Sequence, residues 1–224
     1  MTEWHPLYLT LKLAFITTLI LLVGSVPLAY WLSYSRTRWR PVLESLVGMP
    51  LVLPPTVLGF YLLIAMSPSS PAGRWLIELA GFRLAFSFGG LVLGSVLYSL
   101  PFMVFPLQSG FSQLPPSLAE AAYVLGKSRT TTLFRVLLPN MKPSILAGIM
   151  LSFAHTVGEF GVVLMIGGNI PGHTRVASIA IYDAVEGMHY RQAHLYSLVL
   201  VGIAFATLLL VYIVNGRLLK KVWS

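Results

Sequence analysis

Five long apolar runs constrain this chain more than any other feature. They cover roughly residues 7–33, 43–66, 88–110, 144–167 and 195–215. A helix needs about 20 apolar residues to cross the hydrocarbon of a bilayer, and each run supplies them. The runs are continuous rather than alternating, which predicts spanning helices and not barrel strands. Composition agrees: charged residues are 10% of the chain, against roughly 25% in a soluble domain. The expected fold class is all-α, a polytopic membrane protein of about five transmembrane helices forming one domain over residues 1–224. The first run is too long for the h-region of a signal peptide, and Glu3 precedes it with no Lys or Arg. The absence of cysteine excludes disulfides, thiolate chemistry and Cys-ligated metals.

Lys and Arg are unevenly placed. Arg36, Arg38 and Arg40 follow the first run; Lys127, Arg129, Arg135 and Lys142 lie between the third and fourth; Arg217, Lys220 and Lys221 follow the fifth. All of these share one side of a five-span topology, and cations mark the cytoplasmic side. The N-terminus is thus expected outside, the C-terminus inside, and the loop at about 111–143 in the cytoplasm. The net charge of +8 reads as topology and not as nucleic-acid binding.

That loop is the most patterned part of the chain. Pro115 and Pro116 interrupt the backbone, and Ser117-Leu118-Ala119-Glu120 reads as a capping box. Leu118, Ala121, Ala122 and Leu125 fall at helical spacing, predicting one apolar face, and Gly126 follows as the residue that ends the helix. A second short amphipathic helix is expected from about Ser128 to Leu137, carrying Leu133, Phe134 and Val136, with Pro139 as its stop. Two rigid amphipathic pieces on a basic loop predict a surface gripped by a partner. An amphipathic helix lying on the membrane is the alternative.

Within the runs, Met49-Pro50-Leu51-Val52-Leu53-Pro54-Pro55-Thr56 predicts a broken helix beside a pathway. Glu159, in Gly158-Glu159-Phe160-Gly161, puts a carboxylate inside the fourth run, with His155 four residues earlier on the same face. Ionisable groups in spans are costly and usually face a bundle interior or a wet cavity. Gate element, substrate contact and proton relay all fit, as does a His–Glu pair tying helices together. His173, His189 and His194 are too widely spaced for a compact metal motif. Gly126-Lys127-Ser128 lacks the glycine a phosphate loop needs, since that position is Ala121. No nucleophile–base or metal-ligand constellation is legible. The chain is expected not to be an enzyme, with no catalytic or metal residue.

With these residues placed, the segment 120–139 resembles the EAA loop of ABC importer permeases. Glu120, Ala121, Ala122, Gly126, Leu138 and Pro139 match that pattern in register, with Val136 in place of the usual isoleucine. Within the superfamily the chain is similar to molybdate permease subunits. The carrying segments are 49–59, Gly158-Glu159-Phe160-Gly161 and Gly168-Asn169-Ile170-Pro171-Gly172-His173-Thr174. The resemblance implies a type I importer permease in a bacterial or archaeal plasma (inner) membrane. It implies a homodimer of this chain, a cytoplasmic ATPase dimer that holds ATP and Mg, and an extracytoplasmic oxyanion-binding protein. No cofactor is then expected on this chain itself. It also implies alternating access and import of molybdate, with tungstate as a further substrate. Ser117, Glu120, Ala121, Ala122, Gly126, Val136, Leu138 and Pro139 would form the ATPase-coupling loop. Pro54, Pro55, Thr56, His155, Gly158 and Glu159 would line the pathway or gate. Alternatives are a sulfate- or thiosulfate-type permease, since Gly-Glu-Phe-Gly is shared with sulfate permeases, and a proton-driven anion transporter using His155 and Glu159.

Overall fold

The computed structural model describes residues 4–81 and 83–222, so Glu3 lies outside the described residues. The side chains of Arg217, Lys220 and Lys221 also lie outside them. The described residues are helical, with no strand among them. Helix α1 (His5–Tyr34) is followed by α2 (Arg40–Gly48) with a 3₁₀ turn (Met49–Leu51), α3 (Pro55–Met66) and α4 (Pro71–Ala80). Then come α5 (Phe88–Gln113), α6 (Pro116–Val124), α7 (Arg129–Thr132), a π-helical turn (Leu133–Leu137) and α8 (Leu138–Asn140). Helices α9 (Lys142–Val157), α10 (Gly161–Gly167), α11 (Ala177–Glu186) and α12 (Tyr190–Val222) complete the chain.

Three helices, α1, α5 and α12, are long and apolar enough to span on their own. The second and fourth expected spans are not straight rods. The chain between α2 and α3 bends by 109° at the proline cluster. Pro54 cannot donate to a helix ladder and takes an extended ψ of 135°, so α3 restarts at Pro55. The fourth run, expected as one span over 144–167, is cut at Gly158–Phe160 into α9 and α10. By contrast, α1 continues through Pro27, and α5 through Pro101 and Pro106. Proline in a membrane helix is tolerated where neighbours satisfy the freed carbonyl, so its position alone does not decide a break.

The core is a packed trio of α1, α5 and α9. Leu21, Ala29 and Leu32 of α1 meet Met103, Val104, Leu107 and Phe111 of α5, with Ile145 and Ile149 of α9 alongside. The same cluster takes in Leu133, Leu137 and Met141, so the loop after α5 is anchored in the core of the spans. A second cluster joins Leu9 and Leu13 of α1, Leu91 of α5, Val163 of α10 and Ile179 of α11. Helix α2 is tied to the trio through Glu44, which accepts from Arg40 Nε at 2.9 Å and from Gln108 Nε2 at 2.5 Å.

Candidate functional site

Two regions gather the residues singled out by sequence. The first is the tip formed by α6 to α8. Helix α6 starts two residues earlier than a capping box requires. Pro115 takes the N-cap position and Pro116 the first turn, where a fixed φ and a missing N–H cost nothing. Ser117 therefore lies inside the first turn, no side chain caps α6, and the capping box with Glu120 does not form. The other end follows expectation. Gly126 has φ +69°, its N–H bonds Tyr123 O at 2.9 Å, and Lys127 N–H bonds Ala122 O at 3.0 Å. This is a Schellman closure, which needs a left-handed residue after the last helical turn.

The apolar face of α6 is split, not shared. Ala122 is buried and Ala119 packs against the core cluster, whereas Ala121 and Leu125 point outward. Beside them Val124 is 88% exposed and Leu125 73%. The inward face seats the helix on the spans; the outward face leaves bare apolar surface at the tip.

The second short helix is capped by Ser128, whose Oγ accepts from Thr131 N–H at 3.2 Å. It does not stop at Pro139. Five residues widen into a π-helical turn, and α8 carries the chain through Pro139 to Asn140. Asn140 Nδ2 donates to Val136 O at 2.7 Å, occupying a carbonyl in the disturbed ladder. Leu133 and Leu137 are buried, Val136 and Leu138 half-buried, and Phe134 and Pro139 exposed.

The second region is the break between α9 and α10. A cavity of about 510 Å³ is lined by Pro55, Thr56, Tyr98, His155, Gly158 and Glu159, among others. Residues 100 positions apart in sequence thus meet around one space, while Pro54, the N-cap of α3, is not among the residues that line it. They can meet because Gly161 has no side chain: a Cβ there would stand 2.6 Å from Pro55 Cβ. Gly59 makes the matching close approach, its would-be Cβ 2.7 Å from Met165 Cβ.

The polar groups at the break are held by α5. Glu159, only 4% exposed, accepts from Ser95 Oγ at 2.7 Å. His155 Nδ1 pairs with Ser99 Oγ at 2.9 Å, and its ring stacks on Phe102 at 4.0 Å. The His155–Glu159 pair expected from their spacing is replaced by two separate ties to serines one turn apart on α5. The helix ends at Val157, so the two side chains no longer share a helical face. The Glu159 carbonyl, left over by the break, accepts from Ser178 Oγ of α11 at 2.6 Å. Ser95, Ser99 and Ser178 were missed by sequence reasoning. Serines at i and i+4 in the small-residue start of α5 were the only signal for the first two.

The turn 168–174 is stitched by Thr174 Oγ1 to Gly167 O at 2.6 Å, and Arg175 meets Asp183 at 3.5 Å. Among the described residues no three His, Asp or Glu groups converge as for a metal.

Comparison with known proteins adds four findings. Residues 25–224 match the family described as binding-protein-dependent transport system inner membrane component. The chain is 50% identical over 186 residues to the molybdenum transport system permease protein ModB of Azotobacter vinelandii, covering 83% of this chain and 82% of that one. It is 32% identical over 206 residues to the sulfate transport system permease protein CysT of Escherichia coli (strain K12), covering 92% and 73%. Its fold is similar to a chain of a bacterial alginate ABC transporter crystallised with an alginate pentasaccharide-bound periplasmic protein. That likeness has TM-score 0.76 and 19% identity, and covers 97% of this chain and 79% of that one.

Proposed function

This chain belongs to the family of binding-protein-dependent transport-system inner membrane components, and from that membership we propose that it is the molybdate permease of an ATP-driven importer. The observation that carries the reading is the α6–α8 tip. Its inner face is part of the core of α1, α5 and α9, while Val124 and Leu125 stand bare beside a Schellman-capped turn. A short element transmits force only if it is fixed to what must move and offers a surface to what drives it. The tip has both properties.

In this mechanism a cytoplasmic ATPase, which supplies the nucleotide chemistry, buries the exposed tip in a groove. This chain binds no ATP. Closure of two ATPases moves two tips, one on each copy of a homodimer. The halves rock about the core trio and open the pathway outward, where a binding protein releases its anion. The N-terminus lies outside and the C-terminus in the cytoplasm, on the side of the tip. The cavity beside Pro55, Thr56 and Glu159 flanks the pathway, and the α3 and α9–α10 breaks allow it to change shape. Molybdate is favoured over sulfate by the 50% against 32% identity to the respective relatives. Tungstate, with the same charge and shape, is expected to pass as well.

The test is uptake of labelled molybdate into proteoliposomes containing this chain, its ATPase and its binding protein. Uptake should require ATP and the binding protein, and tungstate should compete while sulfate does not. Equal competition by sulfate would move the assignment to the sulfate-type permease. Uptake that persists without the ATPase and fails with an uncoupler or with Glu159→Gln would replace it with proton-driven transport.

A further inference from the structure

Between the loop end of α1 and the tip the structure holds a second cavity, of about 400 Å³. Its walls come from two elements. Tyr30, Trp31 and Tyr34 form the last turns of α1, and Tyr123, Arg129 and Leu137 belong to the α6–α8 loop. No Asp or Glu is among its lining residues. Three phenol hydroxyls and a guanidinium therefore face a space without a compensating carboxylate. Tyr30 and Tyr34 are set by their rings, 5.0 Å apart and both edge-on to Phe111.

We propose that this cavity binds the phosphate headgroup of an anionic phospholipid. Convergent hydroxyls and a fork of guanidinium donors suit a phosphoryl oxygen set. Basic pockets between spans at the membrane surface recognise anionic headgroups on the same chemistry. Three observations favour a lipid over a free anion. The cavity is several times larger than a bare tetrahedral ion needs. Its walls are mixed, with Trp31 offering apolar surface beside the donors. Trp31 and Tyr34 are 43% and 46% exposed where α1 leaves the hydrocarbon, and exposed Arg36 and Arg38 follow within four residues. Amphipathic aromatic rings favour that interface. A headgroup seated here contacts α1 and the loop together, so it stiffens the joint between span and tip. The inference does not depend on which anion the protein transports.

The probe is phosphatidylglycerol, against phosphatidylcholine of the same chains, added to the purified full-length chain and read by native mass spectrometry. Wild type should retain phosphatidylglycerol at least about tenfold more strongly, the effect of one charge-assisted hydrogen bond. Arg129→Gln, and separately Tyr34→Phe with Tyr123→Phe, should lower that retention several-fold, while Arg191→Gln on the other side of the membrane should not. Thermal melting checks that each variant is folded; all four replaced residues are exposed. Equal retention of both lipids, or the same retention in Arg129→Gln as in wild type, overturns the proposal. Displacement of phosphatidylglycerol by millimolar inorganic phosphate or glycerol 3-phosphate overturns it too, in favour of a free-anion site.

Discussion

The tip and the break sit at opposite extremes of the same core. At the tip, apolar side chains are exposed: Val124, Leu125 and Phe134 have no neighbours to cover them. At the break, polar side chains are buried: Glu159, Ser95 and Ser99 lie among the packed spans. Each is the reverse of what its surroundings favour. Exposed apolar surface in water marks a place for a partner. A buried polar group in a span persists only when something bonds it. The difference teaches that the tip offers apolar surface to another molecule, whereas the break is tied by hydroxyls of the chain itself, with Glu159 Oε1 left buried and without a hydrogen-bond partner.

The contrast can be broken by substitutions that should dissociate assembly from folding. The largest effect is expected for Val124→Asp with Leu125→Asp. Two large apolar side chains buried at an interface contribute about 4 kcal/mol together. Affinity for the ATPase should fall by about a thousandfold, measured by surface-immobilised binding. The melting temperature of the permease alone should not move. If it falls, the tip is part of the fold and the contrast fails.

Gly161→Val should do the opposite. The added atoms meet Pro55 at the α3–α10 crossing, an overpacking that costs about 1–3 kcal/mol. The isolated permease should melt earlier while ATPase affinity is kept, and a wild-type melt would show that the breaks are loosely packed. Gly126→Val sharpens the comparison from the tip side. A β-branched residue at φ +69° is strained by about 1–3 kcal/mol, local to the Schellman turn. Coupled ATP hydrolysis should drop by more than the accompanying fall in melting temperature explains.

The smallest effect is expected for Ser99→Ala, which removes a hydroxyl that meets both His155 Nδ1 and Thr156 Oγ1, at about 1 kcal/mol per bond. Melting and uptake read it together. A loss of uptake beyond what the melt explains would give His155 a role in the pathway.

The legibility of the two regions follows from the same difference. The end of α6 could be read because Gly126 acts within five residues, through its own φ. The start of α6 was misread because Ser117 and Pro116 both suit a helix N-terminus, and the double proline decided between them. The split face of α6 was hidden for another reason: spacing places Leu118, Ala121, Ala122 and Leu125 on one face without saying that the spans cover only part of it. At the break, the sequence marked Pro54, Pro55, Gly158 and Glu159 as unusual. It did not pair them with each other or with α5.

What the sequence by itself determined is the solvent and the element type. Five continuous apolar runs predict helices in a bilayer, because the closed barrel, the other arrangement that satisfies its own hydrogen bonds there, needs alternating strands. Cation placement then orders the loops. What only the tertiary structure decided is where those helices break and what holds the broken ends. A freed carbonyl such as that of Glu159 is stable only when a distant hydroxyl, here Ser178, reaches it. That partner is set by packing across the fold, which local sequence does not encode.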